Sequence, residues 1–253
     1  MIFRPYHYFD TGCAAYLFGC GTLGKCAVVD AQERDVEEYA AFAASKAMRI
    51  THVIDTHVHA DHRSGGPALA NRAGAAYCLY ASAPTRRAFH PLEDGEEIDL
   101  GNTKVRVLHT PGHTPESMSL VVSDLRRGPE PWFVLTGDTL FIGAVGRPDL
   151  PGQTQKNASE LYDSLHTKLL SLPGDVEIYP GHFAGSACGA GMSGKPSSTI
   201  AFERRWNPML SLDREAFIGA LADVPPKPSE MEHVLRFNLG QADERPREQT
   251  HRA

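Results

Sequence analysis

Apolar residues along the chain fall in short runs separated by polar breaks, and the spacing of those runs predicts alternating strands and helices. Residues 14–18 and 25–29 read as two strands joined by the glycine-containing turn 19–24. Residues 36–48 follow, rich in Ala and Glu and free of Gly and Pro. There Val36, Tyr39, Ala40, Ala43 and Ala47 recur every three to four positions, which predicts a helix with one buried face. Residues 52–54 make a short apolar strand that runs straight into Asp55-Thr56-His57.

The second half continues in the same style. Strands are expected at 75–80, 103–108, 119–123, 133–135 and 176–179, and a helix at 157–171 with Asn157 as its N-cap and Leu161, Leu165 and Leu169 on one side. A Gly/Ser-rich loop spans 184–198, helical pieces lie around 202–206 and 213–221, and the charged tail from 241 is expected to fray. The pattern is mixed α/β, and the most polar stretches begin where strands end.

Length and composition narrow the function. A chain of 253 residues suits one large domain, here with a C-terminal extension from about residue 199. The net charge of −6 offers no basic surface for nucleic acid or an anionic membrane, and no apolar run reaches membrane-helix length. The start, MIFRPYHYFD, lacks a charged region followed by an apolar one, so export is not expected. Five cysteines do not form a disulfide framework, and a reducing cytoplasm is the expected setting.

Twelve histidines carry the chemistry. His57-Val58-His59-Ala60-Asp61-His62 is an HxHxDH string at a strand end, where a turn can aim several side chains at one point. His113 lies in Thr110-Pro111-Gly112-His113, Asp138 in Thr136-Gly137-Asp138, and His182 in Pro180-Gly181-His182, each directly after a strand. Singly, each is an ordinary turn residue. Together they make seven candidate ligands on successive strand ends, of the imidazole and carboxylate types that hold Zn, Fe, Mn or Co.

That order of motifs resembles the metallo-β-lactamase superfamily, from about residue 14 to residue 182. The resemblance implies an αββα sandwich: two mixed sheets face to face, helices outside, and a metal at one edge. Within the superfamily, two stretches resemble the persulfide (sulfur) dioxygenases. One is Gly137-Asp138-Thr139-Leu140-Phe141 running into Gly146-Arg147-Pro148-Asp149-Leu150. The other is Ser198-Thr199-Ile200 through Glu203-Arg204-Arg205-Trp206-Asn207-Pro208-Met209-Leu210, then the Phe217 region and 225–238.

The resemblance implies one Fe(II) per chain held by His57, His113 and Asp138, with His59, Asp61, His62 and His182 orienting ligands and managing protons. The implied reaction is R–S–SH + O2 + H2O giving R–SH and sulfite, with a small thiol persulfide, glutathione persulfide foremost, and O2 as partners. Assembly as a homodimer or homotetramer is a further expectation. The chain departs from the mitochondrial type in the small-residue loop after His182, and in Met209, where that type carries an arginine.

Substrate contacts are expected from Arg204, Arg205 and Lys195, and from Cys188 as a thiol near the metal, although a free cysteine is commonly a small buried hydrophobe. Arg147 and Asp149 read as a structural pair, and Cys13, Cys20, Cys26 and Cys78 as packing residues. The rival is a dinuclear hydrolase of the glyoxalase II type. It would place His57, His59 and His113 on one metal and Asp61, His62 and His182 on the other, with Asp138 bridging. A lactonase and a non-catalytic metal sensor are weaker options.

Overall fold

The computed structural model describes residues 1–150, 152–186, 191–222 and 230–241. Two six-stranded mixed sheets face each other. The first runs β1 (Ile2–Tyr8), β2 (Cys13–Cys20), β3 (Lys25–Val29), β4 (Arg49–Ile54), β5 (Ala76–Tyr80), β6 (His90–Leu92) in spatial as in chain order. The second is β7 (Glu97–Leu100), β8 (Thr103–His109), β9 (Met118–Asp124), β10 (Phe133–Gly137), β11 (Glu177–Pro180), β12 (Ser198–Thr199), again in sequence. Strands β3 to β6 are parallel neighbours, as are β10 and β11, and the other pairs are antiparallel.

The central strands are apolar on both faces because each sheet is covered twice. Successive side chains point to opposite sides. Val29, Ile54 and Leu135 therefore enter the core between the sheets, with Tyr16, Phe18 and Leu120. Their neighbours Val28 and Val53 pack outward beneath α1 (Val36–Ser45) and α2 (Gly66–Ala73). Val134 and Ile178 pack outward beneath α3 (Thr154–Asp163), with Leu161 and Leu165. Helices α4 (Ile200–Trp206) and α5 (Arg214–Ala220) join that cluster through Ile200 and Phe217, whereas α6 (Glu230–Asn238) packs through Met231 and Leu235 on Val58, Ala60 and Phe141. Thr199 caps α4 by accepting from Phe202 N, and Asp213 caps α5 by accepting from Ala216 N.

One expected cap is overturned. Helix α3 starts at Thr154, and Asn157 is buried within it, donating to the carbonyls of Pro148 (2.8 Å) and Gly152 (2.5 Å). Its amide ties down the loop before the helix, a job no local pattern displays. The helix passes through a π segment (Ser164–Lys168) and a 3-10 turn (Leu169–Ser171). The first helix stops at Ser45, short of 48, where Ala47 takes a positive φ of 53°. Among the described residues no helix is long and apolar enough to cross a membrane.

Candidate metal centre

Strands β8, β10 and β11 run in the same direction, so the turns after them open at one edge of their sheet. The turn after β4 meets them there, and Met118 N donates to Thr56 O across the gap at 2.9 Å. The His57–His62 string, His113, Asp138 and His182 are thereby gathered from four strand ends. Two glycines make the approach possible. Gly112 has a φ of +138°, and a Cβ on it would stand 2.4 Å from Leu161 Cβ. A Cβ on Gly146 would stand 1.8 Å from Asp138 O.

His57, His113 and Asp138 are buried, and one ligand atom from each lies within 4.8 Å of the others. Asp138 Oδ2 is 3.4 Å from His113 Nε2 and 4.0 Å from His57 Nε2. Ligand bonds of about 2.0–2.2 Å put neighbouring ligand atoms about 3–4 Å apart, so the spacing fits an ion among them. None of these three atoms has a hydrogen-bond partner. Buried polar atoms are rarely left so, and three converging on one point are what a bound metal satisfies.

The surrounding bonds set the proton positions. Thr56 Oγ1 has one proton and donates it to Asp30 Oδ2 at 3.0 Å. It therefore accepts from His57 Nδ1 (3.0 Å), which leaves Nε2 a lone pair for metal. His113 Nδ1 donates to the Arg147 carbonyl at 2.8 Å, with the same result. Burial, then the adjacent His59 imidazole, hold His57 well below its ordinary pKa, as a neutral ligand must be. Burial raises the Asp138 carboxyl, but the His182 and His113 imidazoles outweigh it, and the net shift is downward.

His182 is engaged at both nitrogens: Nδ1 lies 2.7 Å from Asp138 Oδ1, and Nε2 lies 2.9 Å from Asp61 Oδ2. Asp61 Oδ2 also meets His62 Nδ1 (2.9 Å) and the Cys13 thiol (3.4 Å). Burial alone would raise Asp61; its His62 and His182 partners carry it well below the carboxylate range. His59 Nε2 is bonded to Asp30 Oδ1 at 3.1 Å. Against burial, Asp30, Asp55 and Asp61 push His59 up to about 9. His59 Nδ1, Asp61 Oδ1 and His62 Nε2 have no hydrogen-bond partner.

Of the other residues singled out in the sequence, Arg147 touches the centre through its carbonyl and Cys13 through Asp61. Arg147 and Asp149 form a bidentate pair at 2.7 and 2.9 Å. Cys13, Cys20, Cys26 and Cys78 are buried free thiols, and Cys13 touches Asp61 besides packing. Arg204 donates to Leu170 O, and Arg205 lies over the Trp206 ring. Lys195 borders a cleft of about 740 Å³ with Tyr179, Phe202 and Trp206. Cys188 lies outside the described residues. Three supporting residues escaped the sequence reading. Asp30 follows a predicted strand directly, the signal that exposed His57, Asp138 and His182. Glu116, which accepts from Val58 N (3.0 Å), and Asn238 carry no such signal.

Residues 9–182 match the metallo-β-lactamase superfamily profile, and with the two facing sheets and the ligand set, the chain belongs to that superfamily. It is 29% identical over 225 residues to the human mitochondrial persulfide dioxygenase ETHE1, covering 88% of this chain and 82% of that one. It is 31% identical over 248 residues to a hydroxyacylglutathione hydrolase of Anaeromyxobacter dehalogenans, covering 88% and 91%. The crystal structure of ETHE1 from Myxococcus xanthus superposes with a TM-score of 0.82 at 32% identity, covering 94% of this chain and 98% of that one.

Proposed function

We propose that the chain is a non-heme iron persulfide dioxygenase that converts a small-thiol persulfide, glutathione persulfide foremost, with O2 and water into sulfite and the free thiol. One observation carries the reading: two imidazoles and one carboxylate present unpartnered ligand atoms to one point, while His182 is bonded at both nitrogens. Two histidines and a carboxylate are the facial set of non-heme iron oxygenases. The likeness to the human and Myxococcus ETHE1 proteins supports the same reading. The free, buried thiols are in keeping with a reducing compartment such as the cytoplasm.

Bound to His57, His113 and Asp138, Fe(II) supplies the redox chemistry toward O2 that zinc lacks. The chain supplies orientation. The Asp149 carboxylate grips the Arg147 guanidinium, and the Arg147 carbonyl fixes the His113 ring. Asp30, through Thr56, fixes His57. His182 holds Asp138 Oδ1, which turns Oδ2 toward the two imidazoles. The anionic Asp61 keeps the His182 ring in that pose. Phe141 meets His182 edge-on at 6.3 Å, with Ala60 and Ala144 beside it, so this flank of the centre is dry.

A dinuclear thioester hydrolase is the second reading. It is favoured by the unpartnered atoms of His59, Asp61 and His62 and by the likeness to the Anaeromyxobacter hydrolase. Oxygen uptake and sulfite release with glutathione persulfide, set against hydrolysis of S-lactoylglutathione, separates the two. Uptake stoichiometric with sulfite supports the dioxygenase; thioester hydrolysis without uptake overturns it.

A further inference from the structure

The loop that carries the HxHxDH string must bend sharply, and its backbone polar groups are taken out of water as it does so. Each such group needs a partner. Three of them find it in one side chain 174 to 179 residues away. Asn238, at the end of α6 and only 6% exposed, donates through Nδ2 to His59 O (2.8 Å) and His62 O (2.9 Å), and accepts through Oδ1 from Ser64 N (3.0 Å). Both amide protons and the carbonyl oxygen are thus used on one short stretch of backbone. Asn is suited to this: an aspartate has no donors, and an aliphatic residue has neither function.

The helix bearing Asn238 is itself fixed to the metal end of the fold. Met231 packs with Ala60, from the histidine string, and with Phe141 and Ala144, from the loop after Asp138. Leu235 joins that cluster and also the one of Val58 and Leu79. Arg87 donates to Phe237 O (2.6 Å), and Thr85 Oγ1 donates to Asn238 O (3.1 Å). The Arg63 and Arg87 guanidinium groups lie over the Phe237 ring at 4.4 and 4.7 Å. Helix α6 therefore spans two loops that each carry a ligand of the candidate centre.

We propose that Asn238 is a positioning residue of the metal centre: through the backbone of residues 59–64 it holds the turn that presents His57, and α6 is the strap that keeps it there. It touches no reacting atom. The inference rests on the metal centre and not on which reaction that centre performs, so it stands or falls apart from the dioxygenase reading.

The test uses the full chain loaded with Co(II), whose visible absorption reports ligand geometry, and follows its release to a chelator. Asn238→Asp keeps the shape and the acceptor but loses both donors. Arg87→Met loosens the anchor of α6 at a partly exposed position. The expected result is release about 10–100-fold faster in Asn238→Asp, the range found when a group supporting a ligand is removed, with a shifted Co(II) spectrum. A smaller change of the same kind is expected in Arg87→Met. Wild-type release and spectrum in both variants, even with a lower melting temperature, overturn the assignment, since that is what a purely structural contact gives. Should Asn238→Asp not fold, the release rate and spectrum of Arg87→Met decide alone.

Discussion

His182 Nδ1 lies 2.7 Å from Asp138 Oδ1, the oxygen opposite the one that faces His57 and His113. One carboxylate thus has two assignments, and the ring that enforces the division is itself held by Asp61. Replacing His182 by Gln removes that control and leaves the three candidate ligands in place. Metal affinity is expected to fall about 10–100-fold without loss of the single equivalent bound at saturation. Titration with chelator-buffered Fe(II) under anaerobic conditions checks both numbers. Unchanged affinity would remove His182 from its proposed role.

Asp138→Asn keeps the shape but removes the anionic member of the proposed ligand set. Here the loss should exceed that of His182→Gln by at least another order of magnitude, because a direct donor is changed rather than its support. Elemental analysis after desalting, with circular dichroism as the check on folding, tests the ranking. An Asp138→Asn protein that retains metal as well as His182→Gln would contradict it.

Gly146→Ala probes how closely the segment after Asp138 packs on it. The added methyl would lie 1.8 Å from Asp138 O, so the backbone carrying that ligand has to move. Metal retention should drop with at most a few kcal/mol of lost stability, in the range of overpacked sites. Wild-type retention in a folded Gly146→Ala protein would show that the segment yields without disturbing the site.

Much of this was legible in the sequence, for a definite reason. The strands at 25–29, 118–124 and 133–137 are buried along almost their whole length, so their ends stand out as abrupt switches to polar residues. Asp138 is such a switch and a candidate ligand, and Asp30 after 25–29 supports His57 and His59, whereas Asp124 at the end of 118–124 pairs with the amino terminus. Strands β1, β6 and β7 did not show, because they lie toward sheet edges and mix exposed with buried positions. Asn157 and Asn238 did not show because their work is done on backbone atoms of distant or irregular loops, and neither spacing nor hydropathy records that. The sorting of seven candidate ligands into six with an unpartnered atom, three of them converging from His57, His113 and Asp138, and His182 bonded at both nitrogens needed distances.

Acid sensitivity should be traceable in part to His7. Burial lowers its pKa below the ordinary 6.5, its Nε2 has no partner, and its ring meets Phe183 edge-on at 5.7 Å. The unfolded chain takes up the proton first, so stability is lost as the pH falls through about 6.5 toward the lower folded value. His7→Phe should flatten this part of the profile for the metal-free protein and leave stability above pH 7.5 little changed. Urea midpoints from pH 5 to 8 for both proteins provide the check; parallel curves would exclude His7.

The central claim is a single redox metal on His57, His113 and Asp138, and counting that metal tests it most directly. Protein reconstituted anaerobically with iron and then desalted should hold one iron per chain, and the double variant Asp61→Asn/His62→Ala should hold one as well. Two metals per chain in the parent protein, falling to one in that variant, would contradict the claim and assign Asp61 and His62 to a second metal.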